Sequence, residues 1–191
     1  MTIRKILTEP NKILREKSLR VENVNKDIQQ LMDDMLETLY AAPGIGLAAI
    51  QVGVAKRVIV MDISRSRNDI GRDKDDINKN EDKESKKPMY FVNPEIIWKS
   101  EDKFTYEEGC LSLPNQFAEI DRPKQCHVKY FDYNGDHQEL KADGILATCI
   151  QHEIDHLEGI LFIDYLSKLK KEMIIKKLSK QTKDNIERIV V

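Results

Sequence analysis

The sequence predicts an α+β protein in which mixed or antiparallel sheets pack around a central helix, with a further helix towards each end. Three observations carry this prediction. Short runs rich in β-branched and aromatic residues fill the middle of the chain, Ile28, Leu31, Met35 and Leu39 recur at spacings of three and four, and the apolar stretch "GILATCI" runs directly into "QHEIDHLEG". A helix that apolar is one to be buried. At 191 residues the chain reads as one domain, 1–191.

Asn25 is placed to cap the first helix, which the apolar spacing carries to about Tyr40. Pro43, Gly44 and Gly46 in "APGIGLAAIQVG" then stop it and release a loop. "KRVIVMD" suits a short buried strand. Residues 64–88 hold only two sizeable apolar residues, Ile70 and Ile77, among mixed charges, and read as a charged surface insertion. "MYFVNPEIIW", "KFTYEE", "FAEIDR" and "QCHVKYFDYNGDHQELKA" read as β structure, the last a hairpin turning at Asn134-Gly135 in a type I′ turn. The motif helix starts at or just after Asp143 and ends at Gly159. A final helix sets Leu166, Leu169, Met173 and Leu178 near one packed face, with many lysines around it.

With 40% apolar and 34% charged residues and a net charge of −2, the composition argues against a general nucleic-acid binder. No run of about 18 apolar residues could span a bilayer, and the opening "MTIRKILTEPNKIL" lacks a secretory pattern, so the expected place is the cytoplasm. Cys110, Cys126 and Cys149 are an odd, widely spaced set that fits reduced thiols, at least one of them free for a metal.

On a helix, residues four apart lie one turn apart on the same face, so His152 and His156 can aim at one point. Glu153, one position round from His152, falls beside such a metal, where it can take a proton from water. A catalytic site of this kind needs a third ligand. Glu158 and Asp164 lie close along the chain, and no histidine follows His156; upstream, "EEGCLSLP" offers Cys110 next to Gly109. A zinc peptidase and a structural His2Cys staple remain alternatives, the first disfavoured by an upstream cysteine ligand and the second by the unpaired glutamate.

"GIGLAAIQ", "EGCLS" and "QHEIDHLEG" together resemble, in order and separation, the three signature motifs of the peptide deformylases, closest to the bacterial type with a C-terminal helix. The resemblance extends over nearly the whole chain. It implies a metal-dependent hydrolase that removes the formyl group from the initiator methionine of nascent polypeptides, with a metal-bound hydroxide attacking the formyl carbon. It further implies Cys110, His152 and His156 as metal ligands, Glu153 as general base and then acid, and Gln51 with the Leu111 N–H at the oxyanion. Ile45, Gly46 and Gly109 would pair with the substrate backbone. Fe2+ is the ion implied, with Zn2+, Ni2+ or Co2+ able to take the same place.

For the methionine pocket, Ile45 and Cys149 are candidates by position, with Leu146 and Ile150 nearby. Cys126, His127 and His137 read as strand or surface residues, and Arg122, which resembles an arginine the family carries near the second motif, as a structural ion-pair partner of a motif carboxylate such as Glu108. Asp155 either orients an imidazole or faces water. The chain departs from the family's habit at Ile50, where proline is common, and in the insertion at 64–88. The basic last helix resembles the segment by which bacterial members contact the ribosome, and the protein is expected to be a monomer.

Overall fold

The computed structural model describes residues 2–64 and 86–189, with side chains described to residue 180; residues 65–85 of the charged insertion lie outside the described residues. Asn25 caps helix α1 (Lys26–Ala41), its side chain accepting the Ile28 N–H, and Ile28, Leu31, Met35 and Leu39 are all buried. Strands β1 (Gly46–Ala48), β2 (Val58–Met61), β3 (Met89–Lys99), β6 (Gln125–Phe131) and β7 (His137–Asp143) form one sheet in the order β1-β2-β3-β6-β7. Every pairing in it is antiparallel. Strands β4 (Lys103–Cys110) and β5 (Leu113–Pro123) make a separate antiparallel ribbon. Helix α2 (Gly144–Leu157) follows β7, and α3 (Lys168–Ile189) closes the chain.

The apolar run of β2 reflects burial on both faces. Val58 and Val60 join α1 in one core cluster, whereas Ile59 and Met61 join Ile150 and Leu157 of α2 in the other. Strand alternation therefore sends neighbouring side chains of one strand to two helices. Thus α2 is the central helix that the apolar sequence before the histidines demands. Gly159 ends it with φ 74°, in a place where a Cβ would lie 2.5 Å from the Arg15 carbonyl oxygen.

Two local expectations are corrected. The β6–β7 connection is no type I′ turn, because Gly135 has φ 88° but Asn134 does not share a positive φ. Instead the Gly135 N–H reaches the Asp132 carbonyl and the Asp132 carboxylate accepts the N–H groups of Asn134 and Asp136, as in a type I turn closed by a glycine bulge. In the C-terminal segment, Leu166, Ile174, Ile175 and Leu178 pack on the body, whereas Leu169 and Met173 are 70% and 62% exposed. A three-ten turn (Phe162–Tyr165) precedes α3, so the helix starts later and presents a different face than the apolar spacing predicts.

Asp62 fixes both described ends of the insertion. One carboxylate oxygen accepts from the Ser64 N–H, and the other from the Lys87 N–H and the Tyr40 hydroxyl.

Candidate active site

Helix α2 lies under a cleft of about 740 Å³, into which it presents Ile145, Thr148, Cys149, His152 and Glu153. These positions recur at spacings of three and four, the phase of one helical stripe. His156, one turn beyond His152, is fully buried behind them. The end of β4 brings Cys110 to the same point through a register shift between Gly109 and Cys110. A shift of this kind re-aims a side chain that regular pairing would direct elsewhere.

One ligand atom each from Cys110, His152 and His156 lie within 4.8 Å of one another, and Cys110 Sγ is 3.2 Å from His156 Nε2. Among the described residues they are the one group of histidine, cysteine and carboxylate side chains so arranged. The other candidate ligands are occupied elsewhere. Glu158 pairs with Arg57 and Lys17, and Asp164 with Arg15 and Lys171.

The neighbours of these ligands suit a bound cation. His152 Nδ1 lies 2.7 Å from Glu108 Oε2, which leaves Nε2 for coordination. His156 Nδ1 and Glu153 Oε2 are buried without a hydrogen-bond partner among the described groups. One sulfur and two imidazole nitrogens form a donor set for a borderline-soft divalent ion, and three ligands leave a further position open. Burial raises the Glu153 carboxyl to about 7. Burial and the neighbouring His152 hold His156 well below the ordinary histidine range. Burial alone would lower His152 too, but Cys110 and Glu108 outweigh it and raise it well above.

Gln51 sits in a three-ten turn (Ala49–Val52) and is almost fully buried. Its side-chain oxygen accepts the Ala48 N–H at 2.8 Å, which turns Nε2 towards Ser112 Oγ at 3.0 Å and Cys110 Sγ at 3.6 Å. The amide N–H2 is thereby aimed at the ligand cluster. Leu111 and Gly109 line the same cleft, as do Ile45 and Gly46.

The chain matches the family model described as polypeptide deformylase over residues 3–172. The chain belongs to that family. It is 63% identical over 180 residues to the peptide deformylase of Pelagibacter ubique, covering 94% of this chain and 95% of that one. With the peptide deformylase of Phenylobacterium zucineum it shares 52% over 183 residues, 96% of this chain and 99% of the relative. The crystal structure of peptide deformylase from Ehrlichia chaffeensis superposes with a TM-score of 0.82 at 43% identity, over 95% and 97% of the two chains. Peptide deformylases are metal-dependent hydrolases that remove the N-formyl group from nascent peptides, and this chain is an enzyme of that kind. No helix among the described residues is long and apolar enough to cross a membrane.

Around the candidate ligands the structure departs from the sequence expectations in four respects. Leu146 and Ile150 pack into the core, whereas Ile45, Ile145, Thr148 and Cys149 line the cleft together with apolar side chains such as Ile6, Leu111, Leu113 and Phe117. Asp155 orients no imidazole. Its carboxylate instead accepts from Arg122 and from the Tyr165 hydroxyl. Arg122 grips Glu108 as expected, but Glu108 is also the partner of His152, a role that motif reading alone missed. Ser112, which holds Gln51, was equally missed. Its place in "EGCLS", two residues after Cys110, was the available signal.

Proposed function

We propose that the deformylation is carried out by Glu153, Gln51 and the Leu111 N–H around a divalent ion held by Cys110, His152 and His156, on the formyl group of initiator methionine. The unpartnered, buried Glu153 carboxylate, beside three convergent ligands, is the observation that carries this reading. The ion supplies Lewis-acid chemistry when bound. Glu153 takes a proton from the attacking water as the new C–O bond forms at the formyl carbon. Gln51 Nε2 and the Leu111 N–H donate to the oxygen on which negative charge develops, a contribution of about 3 to 4 kcal/mol per donor in comparable sites. Glu153 then delivers its proton to the amine nitrogen as the C–N bond breaks, giving formate and a free N-terminus.

The places of two strands support substrate pairing by backbone. Among the described residues β1 is an edge strand of the five-stranded sheet, and β4 is paired with β5 in the two-stranded ribbon. Both reach the cleft through Gly46 and Gly109, so an extended peptide can lie between them as an added strand. The Ile45 carbonyl accepts the Asp62 N–H, so Ile45 would pair with the substrate backbone through its own N–H, while its side chain lines the cleft with Cys149.

Fe2+ is the proposed resident ion, Zn2+, Ni2+ and Co2+ being compatible with the same donors. The proposed setting is a cytoplasmic monomer acting as one domain. Lys170, Lys176 and Lys177 on α3, exposed beside Leu169 and Met173, form a surface suited to a ribosomal partner. Formate release from a formyl-Met peptide by anaerobically prepared protein tests the reading, alongside Glu153→Ala. Absence of formate from the metal-loaded protein refutes the reaction; undiminished release by Glu153→Ala refutes the assigned base.

A further inference from the structure

We infer that Tyr165 is a positioning residue for the metal centre, holding the outer end of a buried ionic chain whose inner end fixes the imidazole of His152. The inference rests on the reading of Cys110, His152 and His156 as the metal ligands. The chain is continuous in space. His152 Nδ1 meets Glu108 Oε2 at 2.7 Å, and Arg122 holds both Glu108 oxygens through Nε and Nη2, the latter at 3.0 Å. Arg122 Nη1 donates to Asp155 Oδ2 at 2.7 Å, and the Tyr165 hydroxyl donates to the same oxygen at 2.8 Å. The Tyr165 ring also covers the guanidinium, whose central carbon lies 4.9 Å from the ring centroid.

Burial rises steeply along this chain. Tyr165 is 51% exposed, whereas Glu108 and Arg122 are each 3% exposed. The tyrosine is therefore the point at which water is excluded from the pair behind it. A charge pair in a low-dielectric setting attracts far more strongly than the same pair in water. Taking away the ring admits water to Arg122 and Asp155, weakens the grip of Arg122 on Glu108 and frees the carboxylate that orients His152. A ligand histidine whose outer partner is loosened binds its metal less tightly.

Local structure holds the tyrosine in place. Leu161, Phe162 and Ile163 in the same turn are buried in the third core cluster, and Leu166 after it packs there too. The residue thus belongs to a fixed turn and not to a loose tail. Its two contributions are separable, since phenylalanine keeps the ring over Arg122 and loses only the hydroxyl bond to Asp155.

The test is the rate at which the metal-loaded full-length enzyme loses its ion to an excess of chelator, together with the visible absorption of the Co2+-loaded protein. Glu108→Gln accelerates metal loss by about 10- to 100-fold, the usual effect of removing a ligand's outer partner. Tyr165→Leu accelerates it by about three- to tenfold and shifts the cobalt bands, and Tyr165→Phe recovers most of the difference. In the Glu108→Gln background Tyr165→Leu adds nothing, because the route to His152 is already cut. Metal retention within twofold of wild type in Tyr165→Leu overturns the inference, as does a full additive effect in the double variant. Should the leucine variant fail to fold, the cycle is run with Tyr165→Met, which likewise removes both the ring and the hydroxyl. A change confined to the Glu108 background that retains the carboxylate then supports the inference, and equal changes in both backgrounds overturn it. If neither Glu108→Gln nor Cys110→Ala alters metal retention, the metal-site reading itself falls; if both do and Tyr165 does not, only the present inference does.

Discussion

Gly46→Ala introduces one carbon at the point where strand β1 meets the proposed base. A Cβ built there lies 2.4 Å from Glu153 Oε1, 2.9 Å from its Cδ and 3.0 Å from Cys149 Sγ. An ordinary contact to a Cβ begins at 3.4 Å, so the carboxylate oxygen must withdraw by about 1 Å. Gly46 is not among the glycines with positive φ, and alanine therefore brings no backbone strain. The perturbation falls on the Glu153 side chain, which is flexible enough to move and so spares the fold. A displacement of about 1 Å in a reacting group costs on the order of 100-fold in rate. We expect kcat for formate release from a formyl-Met peptide to fall by about 100-fold, while the overpacking costs about 1–3 kcal/mol of stability. Steady-state kinetics read beside thermal unfolding separate the two effects. A kcat within twofold of wild type refutes the placement of Glu153 as the base beside β1.

Arg122→Leu leaves the buried Glu108 carboxylate and Asp155 without their shared cation, and urea unfolding should show a loss of about 3–5 kcal/mol. Burial pushes the Asp34 carboxyl up, but the Thr2 N–H, Gln30 and Arg4 outweigh it and hold it below its ordinary 3.8. Its contribution is therefore present above the ordinary carboxylate range and disappears as pH falls through the depressed folded value. Melting curves of Asp34→Asn should fall below wild type at neutral pH and converge with it as pH falls through the depressed folded value. Stripping the metal with a chelator removes a ligand that binds only the folded state, a loss of about 2.7 kcal/mol for an ion present at 100 times its Kd, seen as a lower Tm that the added ion restores.

Much of this protein is legible from local pattern. The Asn25 cap, the buried stripe of α1, the two-faced β2 and the helical phase of His152, Glu153 and His156 all follow from spacing, since the periods of helix and strand are fixed by backbone geometry. The C-terminal helix was foreseen as an element but not in its facing, because "DYLSKLKK" has apolar residues on more than one side and only the body decides which side it covers. The hairpin turn likewise escaped the dipeptide rule. Asp132 offers its carboxylate to two backbone N–H groups, and that competes with a tight two-residue turn.

By itself the sequence determined the kinds of chemistry available: two histidines one helical turn apart, a glutamate beside them, and cysteine and glutamine in separate upstream motifs. Only the tertiary structure decided which of these groups face one another. Cys110 and His156 are far apart along the chain, and a register shift in β4 brings their ligand atoms to 3.2 Å. Glu108, Arg122, Asp155 and Tyr165 come from β4, β5, α2 and the turn beyond it, so no local spacing could reveal that they form one chain. The physical reason is that helix periodicity fixes neighbours within a turn, whereas partners between elements depend on where the core sets each element down.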